Sequence, residues 1–172
     1  MHKSTIAILA TMLISSAAHA AEDAQTRALR ELNDAIWTPF VRGVETFDHV
    51  RYTSVRARDS IFVDGKRLFD YDEYVEDALR VMTPLQKSGA RLRMEVRFTE
   101  RVVDESAASE KGVLRTVMRD ANGVERVGYA HFHVISRKQP DGWRIVTDYR
   151  WRTTAAADAG AFAAAKPVDV GR

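Results

Sequence analysis

The 172-residue sequence has no cysteine. A disulfide framework, a thiol nucleophile and a cysteine-borne lipid anchor are therefore all excluded. A glycine-rich phosphate loop and a Gly-x-Ser-x-Gly elbow are also missing, which argues against nucleotide-driven chemistry and gives no sign of an elbow serine. No apolar run is long enough to cross a bilayer core of about 30 Å, since the longest candidate, IAILATMLI near the N-terminus, is too short. Nor is there an excess of charge of one sign: 26 Lys and Arg face 24 Asp and Glu, for a formal net charge of +2. Nucleic-acid binding needs many uncompensated phosphate contacts, so this balance argues against such a partner.

What is present begins with a leader. MHK is a short basic start, IAILATMLI an apolar stretch, and SSAAHA ends in the small-x-small pattern of a signal-peptidase site after Ala20. These three regions in this order predict a cleaved secretory signal over residues 1–20, a periplasmic or secreted location, and no membrane attachment after cleavage. Removal of the first twenty of 172 residues leaves 152, enough for one domain with its own core.

Periodicity then divides the chain. From about Glu22 to Phe47, Leu29, Leu32, Ile36, Phe40 and Val44 recur at helical steps, and Pro39 is expected to kink or divide that helix. FDHVRYTSV predicts a brief helix and SIFVDG a strand closed by an Asp-Gly turn. Asp70 and Glu73 have capping-box spacing ahead of a second long helix, whose stripe is Tyr71, Val75, Ala78, Met82 and Leu85. After Gly89 the period falls to two, with Leu92, Met94, Val96 and Phe98 on one face and Arg93, Glu95, Arg97 and Thr99 on the other. A polar connection over 104–111, a strand over 112–119, the Asn-Gly turn of DANG, and the strands YAHFHVISR (129–137) and WRIVTDYRW (143–151) complete a meander. Beyond Thr153 the Ala-rich text, interrupted by Gly and Pro, predicts a mostly mobile tail over 153–172. The fold class is α+β: a cone-shaped, curved antiparallel sheet packed against N-terminal helices, with a cavity between them.

The segment from about Ala28 to Trp151 resembles the nuclear transport factor 2-like superfamily, in particular its SnoaL-like and ketosteroid-isomerase-like bacterial branches. The residues that carry the resemblance are YTSVRARDSIFVDG, the helix FDYDEYVEDALRVM and the ending DGWRIVTDYRW. The resemblance implies a cystatin-like roll over 22–152, a small and largely apolar ligand in the cone, no cofactor, and a homodimer. It admits either cofactor-independent proton transfer (isomerase, cyclase or dehydratase chemistry) or a non-catalytic interaction domain whose cavity is filled. The chain departs from the family at Tyr149, where related sequences often carry His, while His131 falls near a position where they often carry Thr.

Alternation puts Tyr129, His131 and His133 on one side of their strand, and Thr147, Tyr149 and Trp151 on one side of the next. If that side is interior, His131, His133 and Tyr149 are the acid, base or orienting groups, with Tyr129, Thr147 and Trp151 lining the pocket. Arg97 is then the candidate for a ligand carboxylate at the cavity mouth, and Asp59 a further lining carboxylate. If Ala130, Phe132 and Val134 make the core instead, the histidines are solvated. Asp148 is out of phase with its neighbours, and simple alternation points it outward. His131 and His133 alone do not make a metal site, because a third ligand with supporting hydrogen bonds is needed and VISRKQ supplies no Glu.

Overall fold

The computed structural model describes residues 24–167; residues 1–23, with the expected leader over 1–20, and the last five residues lie outside them. Helix α1 runs through 24–45, and Leu32, Ile36, Phe40 and Val44 of its stripe are buried. Pro39 does not divide it. The turn just before, Asn33–Trp37, widens to a π-turn in which the Thr38 amide donates to the Asn33 carbonyl. That widening relieves the crowding a proline ring imposes on the preceding turn, and Pro39 sits at the start of the α-helical stretch Thr38–Glu45. Helix α2, His49–Thr53, is capped by Asp48, which accepts from the Arg51 amide. Gly43 lets α2 approach α1 closely, because a Cβ there would fall 2.6 Å from the Tyr52 nitrogen.

Strand β1 (Arg56–Asp64) turns at Gly65 into the short β2 (Arg67–Phe69). Helix α3 (Tyr71–Lys87) then opens with a complete capping box of Asp70 and Glu73. It buries Tyr74, Ala78 and Met82, so the buried face is rotated slightly from the expected stripe and Tyr71 is left only half-buried. The long strands follow: β3 (Arg91–Val103), β4 (Ala107–Arg119), β5 (Glu125–Gln139) and β6 (Gly142–Trp151). β4 starts well before residue 112, inside the segment expected to be a polar connection. Ala108 and Glu110 in that stretch are buried, and a buried glutamate is not visible to a polarity pattern.

The sheet has the order β2-β1-β6-β5-β4-β3-β7. β3 to β6 form the antiparallel meander, but β1 lies parallel to β6, so the sheet is mixed. Of the tail expected over 153–172, the described part beyond Thr153, 154–167, folds back onto the sheet rather than trailing away. Helix α4 (Ala155–Ala164), capped by Thr154, docks on the outer face, and β7 (Lys166–Pro167) pairs with β3 at Arg97 and Phe98. Phe162 supplies the anchor that alanine alone lacks, being 7% exposed beneath Arg97 and beside Tyr129.

The helices α1 to α3 cover the concave face. Trp37 stands in the middle of the cone, with its ring 5.1 Å from both Phe98 and Phe132 and 5.9 Å from Phe40. Trp143, Ile145 and Val134 close the same core. Each large apolar side chain buried this way contributes about 1.5–3 kcal/mol. Gly112 makes this packing feasible, since a Cβ there would meet the Arg97 carbonyl and come within 2.6 Å of the Phe132 ring.

Candidate functional site

The face of the sheet that is interior follows from β5. Ala130, Phe132, Val134 and Ser136 are buried, so His131 and His133 point to the opposite, outer face. His131 is hydrogen-bonded through Nε2 to Asp158 of α4 (3.0 Å) and lies flat against Trp151, with ring centroids 5.3 Å apart. His133 shares a hydrogen bond with Ser109 Oγ (2.9 Å). Tyr129 touches Phe162 of α4, and Thr147 and Tyr149 are exposed on the outer face. Arg97 is also outer, stacked over Phe162 at 4.1 Å and donating to its carbonyl, and Asp59 is exposed on β1. The interior pocket expected from Tyr129, His131, His133, Thr147, Tyr149 and Trp151 is therefore not formed: these residues share a face, but it is the one turned away from the cone.

On β5 plain alternation with the buried Ala130, Phe132 and Val134 turns Tyr129, His131 and His133 outward; on β6 the reason is a β-bulge. Trp143 and Ile145 of β6 point inward as alternation expects, but the register slips between the pairs Ile135–Thr147 and Ser136–Ile145. One extra residue reverses every later side chain. Asp148, expected outside, is consequently fully buried, and Arg150 follows it inward. A similar slip in β3, between Phe98 and Glu100, takes Arg101 off the outer row of Arg93 and Arg97.

These reversals build a polar centre at one side of the cone. Arg150 grips Asp148 with two donors, Nε to Oδ1 at 3.2 Å and Nη2 to Oδ2 at 2.7 Å. Arg56, from the start of β1, donates Nη2 to Oδ2 at 2.5 Å. The Arg56 and Asp148 side chains have no exposed area, and Arg150 keeps 12%. Aromatic rings wall the cluster. Arg56 lies 3.9 Å from the Tyr74 centroid and 5.1 Å from that of Phe62, and Arg150 sits over Phe62 and Phe40 at 5.0 and 5.2 Å. Tyr52 stacks on Tyr74 with centroids 5.3 Å apart. Burial alone would raise the Asp148 carboxyl, yet the charges of Arg150 and Arg56 and their hydrogen bonds hold it below the ordinary aspartate value. Burial likewise pushes the Tyr74 phenol well up, although Arg56 pulls it the other way. Asp148 is thus an ionised clamp and Tyr74 a standing hydroxyl donor.

A second polar group lies across the sheet. Glu110, fully buried, accepts from Trp37 Nε1 (2.9 Å) and Arg101 Nε (2.7 Å), while Arg101 Nη2 reaches Asn33 Oδ1 of the π-turn (2.7 Å). Here burial outweighs the single arginine, and the Glu110 carboxyl is raised. An open groove of about 720 Å³ lies apart from both centres, where Arg91, Arg93, Arg115 and Arg119 alternate with Glu45, Glu95 and Glu125. Its Arg115–Glu95 pair at 2.7 Å belongs to an ordinary charge-paired surface.

None of Arg56, Arg150 or Tyr74 stood among the expected site residues, and Asp148, a carboxylate that an apolar cavity could tune, was set aside because alternation points it outward. The only signal in the sequence was Asp148 and Arg150 flanking an aromatic on a strand, and the bulge hid their direction.

Comparison with known proteins places the architecture. No protein-family model and no curated protein matches the chain. Solved structures do match: a nuclear transport factor 2-like protein with a cystatin-like fold from Novosphingobium aromaticivorans has a TM-score of 0.62 at 16% identity, over 81% of this chain and 92% of that one. A ketosteroid isomerase-like protein from Erwinia carotovora atroseptica gives 0.56 at 16% identity, over 72% and 95%. A nuclear transport factor 2-like protein of unknown function from Pseudomonas putida gives 0.57 at 14% identity, over 77% and 92%. The molecule is an α+β roll of a curved sheet around helices. Its fold is that of the nuclear transport factor 2-like proteins it is similar to.

Proposed function

We propose that the chain is a binding domain for a small, largely apolar molecule, held at the side of the cone where α2 and α3 meet β1 and β6. The observation that carries this reading is the aromatic set Phe62, Phe69 and Tyr74, which packs as a cluster of its own beside the main core and borders the Arg56–Asp148–Arg150 centre. Tyr52, half-buried, bridges the two clusters, and Arg150 retains some exposure, so the approach is from this side. Small-molecule sites combine apolar walls with a few fixed polar groups, the chemistry this cluster offers. Proton-transfer chemistry is disfavoured within this proposal, because Asp148 is locked by two arginines and the histidines lie outside. The test is native mass spectrometry and a crystal structure of protein purified from its natural host. Retained density beside Arg56, bordered by Tyr52, Phe62 and Tyr74, is expected; a dry site in every preparation counts against the reading. The same proposal takes the chain as exported, with cleavage after Ala20 checked by N-terminal sequencing of protein from the periplasm.

A second reading rests on the outer face. Ile61 and Tyr149 are 44% and 43% exposed on the part of the sheet that α4 leaves open. Bare apolar sheet surface of this kind favours pairing with a second copy. Sedimentation of wild type and Tyr149→Glu distinguishes the cases: a dimer lost on substitution supports pairing, and a wild-type monomer removes it.

A further inference from the structure

We propose that the Arg56–Tyr74 corner of the buried cluster is a subsite for one carboxylate, the anionic end of the small molecule proposed above. The inference rests on that binding reading and adds the chemistry of the ligand.

Arg56 uses only Nη2 in its contact with Asp148. Its Nε and Nη1, together with the Tyr74 hydroxyl, are buried with no hydrogen-bond partner among the described residues. Buried donors without acceptors are rare in native proteins, and three gathered in one corner call for an ordered water or a bound acceptor. The two guanidinium nitrogens can only donate and the Tyr74 hydroxyl can donate beside them, so an acceptor-rich ligand fits this corner.

Charge points the same way. Two guanidiniums share one carboxylate, and Tyr74 is held neutral. Asp64 stands opposite Arg150 in register, but its carboxylate is taken by Arg152 at 2.9 Å. The cluster therefore carries one uncompensated positive charge in an aromatic setting, where an unbalanced charge is costly. A monoanion neutralises it, whereas a phosphate dianion would leave an excess of negative charge beside Asp148. A buried water would satisfy donors without bringing charge. The rings of Phe62, Tyr52 and Tyr74 suit a flat or apolar body attached to the carboxylate.

The experiment is calorimetric titration of the full chain with benzoate and its neutral isostere benzamide, with acetate and inorganic phosphate as bare head groups. Benzoate is expected to bind at least about tenfold more tightly than benzamide, since a charged acceptor meets charged donors. Because Arg56 variants risk misfolding, Tyr74→Phe is the companion. It removes a hydroxyl with no protein partner, so Tm is expected to hold or rise while benzoate affinity falls about threefold to tenfold. Equal binding of benzoate and benzamide, with Tyr74→Phe silent, overturns the carboxylate subsite and leaves small-molecule binding intact. Acetate binding with neither aromatic probe bound supports the subsite and overturns the apolar body. Phosphate binding more tightly than acetate overturns the monoanion assignment. No response to any probe, with ordered water alone at Arg56, overturns both.

Discussion

Asp148 and Glu110 stand on one cross-strand row of the concave face, with Val134 in register between them. Both carboxylates are fully buried, yet they are shifted in opposite directions. Desolvation acts first on each and favours the neutral acid. Asp148 overcomes it with two arginines and three N–H donors, whereas Glu110 has Arg101 and the Trp37 indole. The number of cations within reach decides the sign.

Removing the charge at Asp148 is expected to be severe. Asp148→Asn keeps the shape but leaves Arg56 and Arg150 facing each other inside the protein. Breaking one member out of a buried ion pair costs about 3–5 kcal/mol. Urea unfolding at pH 7 measures it; a loss below about 1 kcal/mol would show that the arginines are compensated elsewhere.

The two acids also give opposite pH signatures. Asp148 has a folded pKa below its ordinary 3.8, so its contribution is present above that value and is lost as pH falls through the lower folded value. Glu110 has a folded pKa above its ordinary 4.5, so its contribution is full below 4.5 and is lost as pH rises through the higher folded value. Glu110→Gln removes the second titration. The stability of wild type relative to Glu110→Gln is expected to decline as pH rises from about 4.5, measured by denaturant titration across pH 4–8. A flat difference over that range would place the Glu110 carboxyl at its ordinary value.

Much of the architecture was legible because it is written in local chemistry. The Asp70–Glu73 capping box, the Gly65 turn and the alternation of Met94, Val96 and Phe98 each appear where the pattern placed them. The site was not legible, for a reason confined to one or two residues. Alternation carries sidedness along a strand only while the register is unbroken, and the slip near Val146 inverts it just before Asp148. Arg56 was invisible in another way. Its neighbours Asp148 and Tyr74 come from distant stretches of chain, and only the parallel docking of β1 on β6 brings them together. The Ala-rich end carries no apolar stripe to read, because the helix over Ala155–Ala164 depends on a few anchors, Phe162 and Asp158.

With the histidines on the outer face, their loss has a defined and limited effect. His133→Ala removes a hydrogen bond to Ser109, and His131→Ala removes one to Asp158 together with the stacking on Trp151. Each is expected to cost about 1 kcal/mol or less of stability, and neither is expected to alter benzoate binding at Arg56. Titration of the double variant checks this. A fall in affinity beyond about threefold would show that the outer face communicates with the cone.

The docking of α4 offers the last test. Ten residues, mostly alanine, form a helix too short to persist alone, so its order depends on contacts with the sheet. Those contacts are few. Phe162 is buried beneath Arg97, Asp158 accepts from Thr153 and His131, and Thr154 caps the first turn. The hydrogen bonds from Thr153 come first in drawing Asp158 below its ordinary aspartate value, with His131 adding to them. Phe162→Ala removes the one large apolar anchor while leaving α1 to α3 and the Trp37 core untouched. Amide hydrogen exchange over Ala155–Ala164 is expected to accelerate about 10- to 100-fold, with protection in β4 and β5 retained, because the helix opens as a local unit. Acceleration spread equally across the sheet would instead make α4 an integral part of the cooperative fold.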